Sequence, residues 1–117
     1  MAECVRREIK LDYQEECKRT MPKQMPRKES LTNMALGIAG ESGEIVDCIK
    51  KNIYPGHENV DKIVYEIGDL LWYLANLCTL LDITLEQCME MNVLKLKKRY
   101  PNGFDKERSV NRNDDAY

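Results

Sequence analysis

Glu66, Asp69, Tyr73 and Asn76 recur at spacings of three and four, which aligns two carboxylates, a phenol and an amide along one flank of a helix. The surrounding stretch is otherwise nearly dry, since residues 70 to 81 (LLWYLANLCTLL) contain no charge. Removing an ionised carboxylate from water costs several kcal/mol unless a cation or a hydrogen-bonding partner compensates it. Capping of a neighbouring helix, or pairing with a lysine, accounts for this stripe as well as a metal does. Glu41 and Glu44, also three residues apart, shift the balance. Two antiparallel helices offering Glu41-x-x-Glu44 and Glu66-x-x-Asp69 can aim four carboxylates at one point. Four mutually repelling charges in a partly buried place call for divalent cations. All-oxygen ligands suit Mg2+ or Mn2+ rather than zinc or copper. A ferritin-like di-iron centre needs two Glu-x-x-His pairs, and with His57 as its one histidine the chain has neither.

Gly37, Gly40 and Gly43 lie within the same predicted helix as the first acid pair, each costing about 0.8–1 kcal/mol relative to Ala. Either a neighbouring backbone or ligand comes close there, or helices pack tightly through small residues.

The elements that must hold these groups are marked by Pro and Gly: Pro22 and Pro26, then Pro55-Gly56, then Pro101 and Asn102-Gly103. Between them the pattern is helical. A short helix is expected over residues 9 to 20. A second starts near Ser30, a plausible N-cap, and runs to about Asn52, before Tyr54-Pro55-Gly56-His57 breaks it. The third spans Asn59 to Leu81, and the fourth opens at Thr84 with a capping box to Gln87 and stops before Pro101. With no strand-like alternation, the class is all-α: an antiparallel four-helix bundle-like protomer with short connections. Residues 1–104 read as one domain and residues 105–117 as a polar tail, ordered only if it docks.

Along the third helix Ile63, Ile67, Leu70, Leu74, Leu77 and Leu81 form a coiled-coil-like seam. Its other faces are apolar as well, and such a helix must be enclosed on all sides. Leu71, Trp72, Ala75 and Cys78 are therefore expected to meet another protomer, in a homodimer or homotetramer.

A chain of 117 residues, with 18 basic against 20 acidic side chains and a net charge of -2, has room for one modest core. It lacks the strong basicity of proteins that grip nucleic acid through its backbone. The five cysteines are odd in number and include no CxxC, which fits small buried hydrophobes better than a disulfide framework. The charged opening residues MAECVRREIK and the absence of a membrane-length apolar run predict a cytoplasmic protein with no membrane partner.

The ordered set Glu41-x-x-Glu44, twenty-one intervening residues, then Glu66-x-x-Asp69 resembles the MazG-like nucleotide pyrophosphohydrolases. These belong to the all-α nucleoside triphosphate pyrophosphatase superfamily, with the dimeric dUTPases and dCTP pyrophosphatases. The resemblance runs through Leu11-Asp12-Tyr13-Gln14, Arg19-Thr20, LGIAGESGEIVDCIKK (36 to 51), EIGDLLWYLANL (66 to 77) and NVLKLKKRYPNGF (92 to 104). It implies Mg2+-dependent hydrolysis of a nucleoside triphosphate between its α and β phosphates, giving a monophosphate and pyrophosphate, with Mn2+ as a possible substitute. It also implies Glu41, Glu44, Glu66 and Asp69 as metal ligands, with Glu41 or Glu44 accepting the proton of the attacking water. Asn76, Tyr73 and Gln14 match positions near the nucleotide in relatives, as does Thr20. Asn92, Lys95 and Arg99 match the family's N-x-x-K-x-x-x-R, and two fixed cations with an amide suit a polyphosphate. A solvated, Lys-rich helix end favoured by the helix dipole explains that stripe equally well. Lys51 could reach a phosphate, although Asp47 at i−4 offers it a surface pair. No P-loop motif is present, so phosphate capture rests on metal and side chains. The competing reading is a non-catalytic helical oligomer that binds metal or nucleotide as a sensor or scaffold.

Overall fold

The structure, a computed structural model, describes residues 12–53 and 60–112. Among them there is no strand, and the helices are α1 (Tyr13–Lys18), α2 (Arg27–Asn52), α3 (Val60–Leu80), α4 (Leu85–Arg99) and α5 (Lys106–Val110). The expected break at Tyr54-Pro55-Gly56-His57, the start at Asn59 and residues 9 to 11 of the first predicted helix lie outside the described residues. The chain divides into two units, residues 1–82 and 83–117. The first carries α1 to α3 and the second α4 and α5.

Asp12 starts α1 by accepting the Glu15 backbone N–H at 3.3 Å, satisfying one of the donors a helix start leaves open. The start of α2 differs from the sequence expectation. Its N-cap is Pro26, with no side-chain cap. Ser30 already lies inside, its N–H bonded to the Pro26 carbonyl at 2.9 Å and its hydroxyl donating to the Met25 carbonyl at 3.4 Å. A proline's fixed φ suits helix entry and its missing N–H is no loss there, so winding begins as soon as Pro26 permits. The far end falls at Asn52 as expected.

Helices α2 and α3 run antiparallel. Arg27, at the beginning of α2, donates to the carbonyl of Leu80 at the end of α3 (3.2 Å), Gly37 meets Tyr73, and Glu41 meets Glu66 and Asp69. Side-chain bonds tie α1 and the residues just after it to α3: Tyr13 Oη to the Gly68 carbonyl (3.3 Å), Gln14 Nε2 to Thr79 Oγ1 (3.1 Å), and Trp72 Nε1 to Thr20 Oγ1 (2.7 Å). Like Trp72, Asn76 donates from α3, its Nδ2 to the Cys17 carbonyl (3.3 Å).

The buried face of α3 is not the predicted seam. Ala75, Asn76 and Cys78 are buried, whereas Ile67 and Leu81 are nearly half exposed and Ile63, Leu70, Leu74 and Leu77 are only partly covered. Small side chains let neighbouring helices approach closely, which the bulkier seam does not. Ala75 and Cys78, expected to meet a partner, are thus covered within the chain. Leu71 stays exposed, and Trp72 turns its indole N–H to Thr20. Among the described residues the buried apolar set is Cys17, Met34, Cys48, Ala75 and Cys78, with no buried Leu, Ile, Val or Phe.

In the second unit, α4 begins with the predicted capping box. Thr84 Oγ1 accepts the Gln87 N–H at 3.0 Å, and Gln87 Oε1 accepts the Thr84 N–H at 2.8 Å. Gly103, at φ 89, makes the turn that follows, a backbone shape which costs glycine nothing. Phe104 lies against Tyr100 with ring centroids 5.6 Å apart. The segment after Phe104, expected to order only on docking, contains α5, because the Asp105 carboxylate caps it by accepting from the N–H groups of Glu107 and Arg108.

Candidate functional site

Three of the four predicted acids converge. Glu41 from α2 and Glu66 and Asp69 from α3 each offer a carboxylate oxygen within 4.8 Å of the others; Glu41 and Glu66 are half-buried and Asp69 is exposed. The i, i+3 spacing puts Glu66 and Asp69 on one face of α3, and the antiparallel pairing brings Glu41 over both. Glu44, one turn further along α2, is exposed and stands outside this close group, though its charge still reaches Glu41.

The electrostatics show what this convergence costs. The Glu41 carboxyl is held above the usual carboxylate range, first by burial, then by the charges of Asp69 and Glu66, a hydrogen bond with Glu66, and lastly Glu44. Like charges gathered in a half-buried place resist ionisation unless a cation neutralises them. Hard divalent cations bind carboxylate oxygens at about 2.0–2.6 Å, so three oxygens within 4.8 Å of one another can close on a single ion. The donor set, all oxygen with no sulfur or imidazole, fits Mg2+ or Mn2+.

Next to the acids stands Tyr73, one turn beyond Asp69 on α3. Its ring occupies the space where a side chain on Gly37 would go, so that an added Cβ would fall among ring atoms Cδ1, Cε1 and Cζ. The ring also meets Trp72 in an edge-to-face arrangement, with centroids 4.9 Å apart and planes at 89°. The close approach expected at the α2 glycines is therefore met at Gly37. Around Gly40 and Gly43 no described atom comes within 4 Å of an added Cβ.

Asn76 and Gln14 are buried and tie α1 to α3 through Cys17 and Thr79. Asn76 Oδ1 is buried with no hydrogen-bond partner among the described residues. Lys51 forms an ion pair with Asp47 at 2.7 Å, which raises its ammonium above the ordinary lysine range. Asn92, Lys95 and Arg99 lie on α4 in the second unit, with the Arg99 guanidinium 5.9 Å from the centroid of the Tyr100 ring.

One residue near the acids was missed in the sequence. Tyr13 reaches the Gly68 carbonyl, beside Asp69, and its phenol is pushed well above the ordinary tyrosine range by burial first, then by Cys17 and Asp69. It stays neutral next to the cluster. No spacing rule links residue 13 to residue 68; its place in the Asp12-Tyr13-Gln14 stretch was the only signal.

The sequence profile of the MazG nucleotide pyrophosphohydrolase domain matches residues 29–104, more than half of the 117-residue chain. The chain belongs to the MazG family. The matched MazG span begins in the first turn of α2, contains Glu41, Glu66 and Asp69, and continues through α4, so the acid cluster is part of the family domain while α1 lies outside the span. The Gene 37 protein of Mycobacterium phage L5 is 35% identical over 80 residues, covering 64% of this MazG chain and 70% of that protein. No solved structure matches. Among the described residues no single helix is long and apolar enough to cross a membrane.

Proposed function

We propose that the chain is a Mg2+-dependent nucleoside triphosphate pyrophosphohydrolase, cleaving ribo- or deoxyribonucleoside triphosphates between the α and β phosphates to a monophosphate and pyrophosphate. The observation that carries this reading is the convergence of Glu41, Glu66 and Asp69 within a MazG nucleotide pyrophosphohydrolase domain. Those three carboxylates would hold the cation. A bound divalent cation supplies neutralisation of the polyphosphate charge and acidification of water.

The protein's own groups do the rest. Glu44, exposed and outside the close group, is assigned to accept the proton of the attacking water as the water oxygen bonds to the α-phosphorus. The bond from that phosphorus to the bridging oxygen then breaks and pyrophosphate leaves. Glu41 is the alternative base, its basicity raised by burial first and then by its acidic neighbours. Asn92, Lys95 and Arg99 are assigned to polyphosphate binding on residue type and spacing, and Tyr73 to the nucleoside side of the substrate.

The active species is a homodimer or homotetramer. Support comes from the poverty of the core. Among the described residues its buried apolar members are three cysteines, a methionine and an alanine, while Leu36, Val46, Ile67 and Leu71 on α2 and α3 are exposed. Exposed apolar side chains in such number fit a surface covered by a second copy. Light scattering that finds only monomer at micromolar concentration would remove this part of the reading.

The deciding experiment is a panel of ribo- and deoxyribonucleoside triphosphates with Mg2+ or Mn2+, scored for pyrophosphate and monophosphate. Release of both in equal amounts is expected. Nucleotide-dependent thermal stabilisation without pyrophosphate would instead establish a non-catalytic sensor or scaffold.

A further inference from the structure

We propose that Gly37 is a positioning residue for the cation site: its missing side chain sets the separation of α2 and α3 at the acids. The inference rests on the reading of Glu41, Glu66 and Asp69 as cation ligands.

Glycine is a poor residue for a helix interior, and α2 holds three in close succession, yet they differ in their surroundings. Added Cβ atoms at Gly40 and Gly43 meet nothing within 4 Å, whereas one at Gly37 would lie inside the Tyr73 ring. The ring cannot move aside cheaply. Trp72 stands edge-on against it at 4.9 Å, and the Trp72 indole is itself held by the Thr20 hydroxyl at 2.7 Å. A side chain at position 37 therefore pushes α2 away from α3 rather than tilting the ring.

That push would be felt at the acids. Gly37 is four residues before Glu41 on α2, and Tyr73 is four residues after Asp69 on α3, so the contact lies one turn from the cluster on the same two faces. The cluster is bridged between the helices by Glu41 alone, whose oxygen lies within 4.8 Å of those of Glu66 and Asp69. Magnesium demands near-ideal octahedral coordination at about 2.0–2.1 Å and manganese takes the same octahedral oxygen set, so a helix displacement of about 1 Å withdraws Glu41 from the set.

The test uses the full chain and Mn2+ as the probe, with affinity measured by isothermal titration calorimetry and helical content by circular dichroism. Gly37→Ala is expected to weaken Mn2+ binding by about tenfold or more while keeping its helical signal, the scale on which groups that orient metal ligands act. Gly37→Ala combined with Tyr73→Ala, which clears the space, is expected to recover most of that loss. A position that mattered only for helix propensity would leave Mn2+ affinity unchanged and make the helix more stable, since alanine favours the helix.

Equal Mn2+ affinity in Gly37→Ala and the parent overturns the proposal, as does a double variant that binds no better than the single one. Should Gly37→Ala not fold, a folded double variant that binds Mn2+ upholds the proposal, and a double variant that is also unfolded overturns it. Failure of the parent chain to bind Mn2+ at all is a separate result: it overturns the reading of the acids, and this inference with it.

Discussion

The Asn76 carboxamide on α3 donates to the main-chain carbonyl of Cys17 in α1 at 3.3 Å, while its Oδ1 is buried with no partner among the described residues. A side chain matched to nucleotide-proximal positions in relatives here ties two helices together within the protomer. Truncating it removes this tie between α1 and α3; because the Cys17 carbonyl still accepts from the Thr20 N–H and hydroxyl, the loss is that of one hydrogen bond, about 0.5–1.5 kcal/mol. Asn76→Ala is expected to lower ligand-free stability by that amount in urea unfolding. An unchanged urea midpoint combined with a raised KM would mean that the side chain serves the substrate and not α1.

The acids inside the close group and the one outside it should separate by function. Glu66→Ala and Asp69→Ala are expected to lose Mn2+ binding and to lower kcat/KM by more than about 100-fold, the scale on which a divalent cation assists phosphoryl chemistry. Glu44→Ala, lying outside the close group, is expected to keep Mn2+ binding while losing turnover. Calorimetry alongside a pyrophosphate assay reads both, and a fully active Glu44→Ala protein would exclude that residue as the base.

Glu41 gives a pH prediction with a definite sign. Its carboxyl binds a proton more tightly in the folded than in the unfolded chain. The stability it contributes without metal is therefore present in acid, below the ordinary carboxylate range, and is lost as pH rises through the folded-state value. Glu41→Gln stays neutral throughout. In EDTA the variant is expected to melt above the parent at about pH 8, with the gap closing towards about pH 4, and added Mn2+ should stabilise only the parent. Coincident melting curves in EDTA at the higher pH would show that the acids do not repel one another as described.

Lys95 and Arg99 test the polyphosphate assignment. Lys95→Ala and Arg99→Ala are each expected to raise KM by about tenfold, a loss typical of one charge-assisted contact. Arg99→Lys should recover only part of the loss, because a point charge cannot reproduce a planar, two-pronged guanidinium. Unchanged KM values in steady-state kinetics would return these residues to a solvated helix end.

The helices were legible because Pro and Gly punctuate the chain, and the Thr84–Gln87 capping box reads directly from its spacing. The start of α2 was missed because Ser30 has the chemistry of a cap while Pro26 has the geometry of an entry. On α3 the leucine and isoleucine seam was visible, but which apolar face becomes covered depends on how closely α1 and α2 approach, and Ala75 and Cys78 decide that through smallness. The spacing singled out four acids; that Glu41, Glu66 and Asp69 draw together while Glu44 stands apart depends on helix register and not on spacing. The contacts of Tyr13 with Gly68 and of Gly37 with Tyr73 join residues distant in sequence, and no local pattern announces them.

The interior composition has a practical consequence. Among the described residues three of the five buried apolar side chains, Cys17, Cys48 and Cys78, carry thiols, while Cys88 is exposed; Cys4 lies outside the described residues. An alkylating reagent meets the buried sulfurs only in molecules whose helices have momentarily parted, so the pace of their modification measures how often the native helices open. The protein thus carries its own clock for breathing, with one buried thiol on each of the three described helices of the first unit.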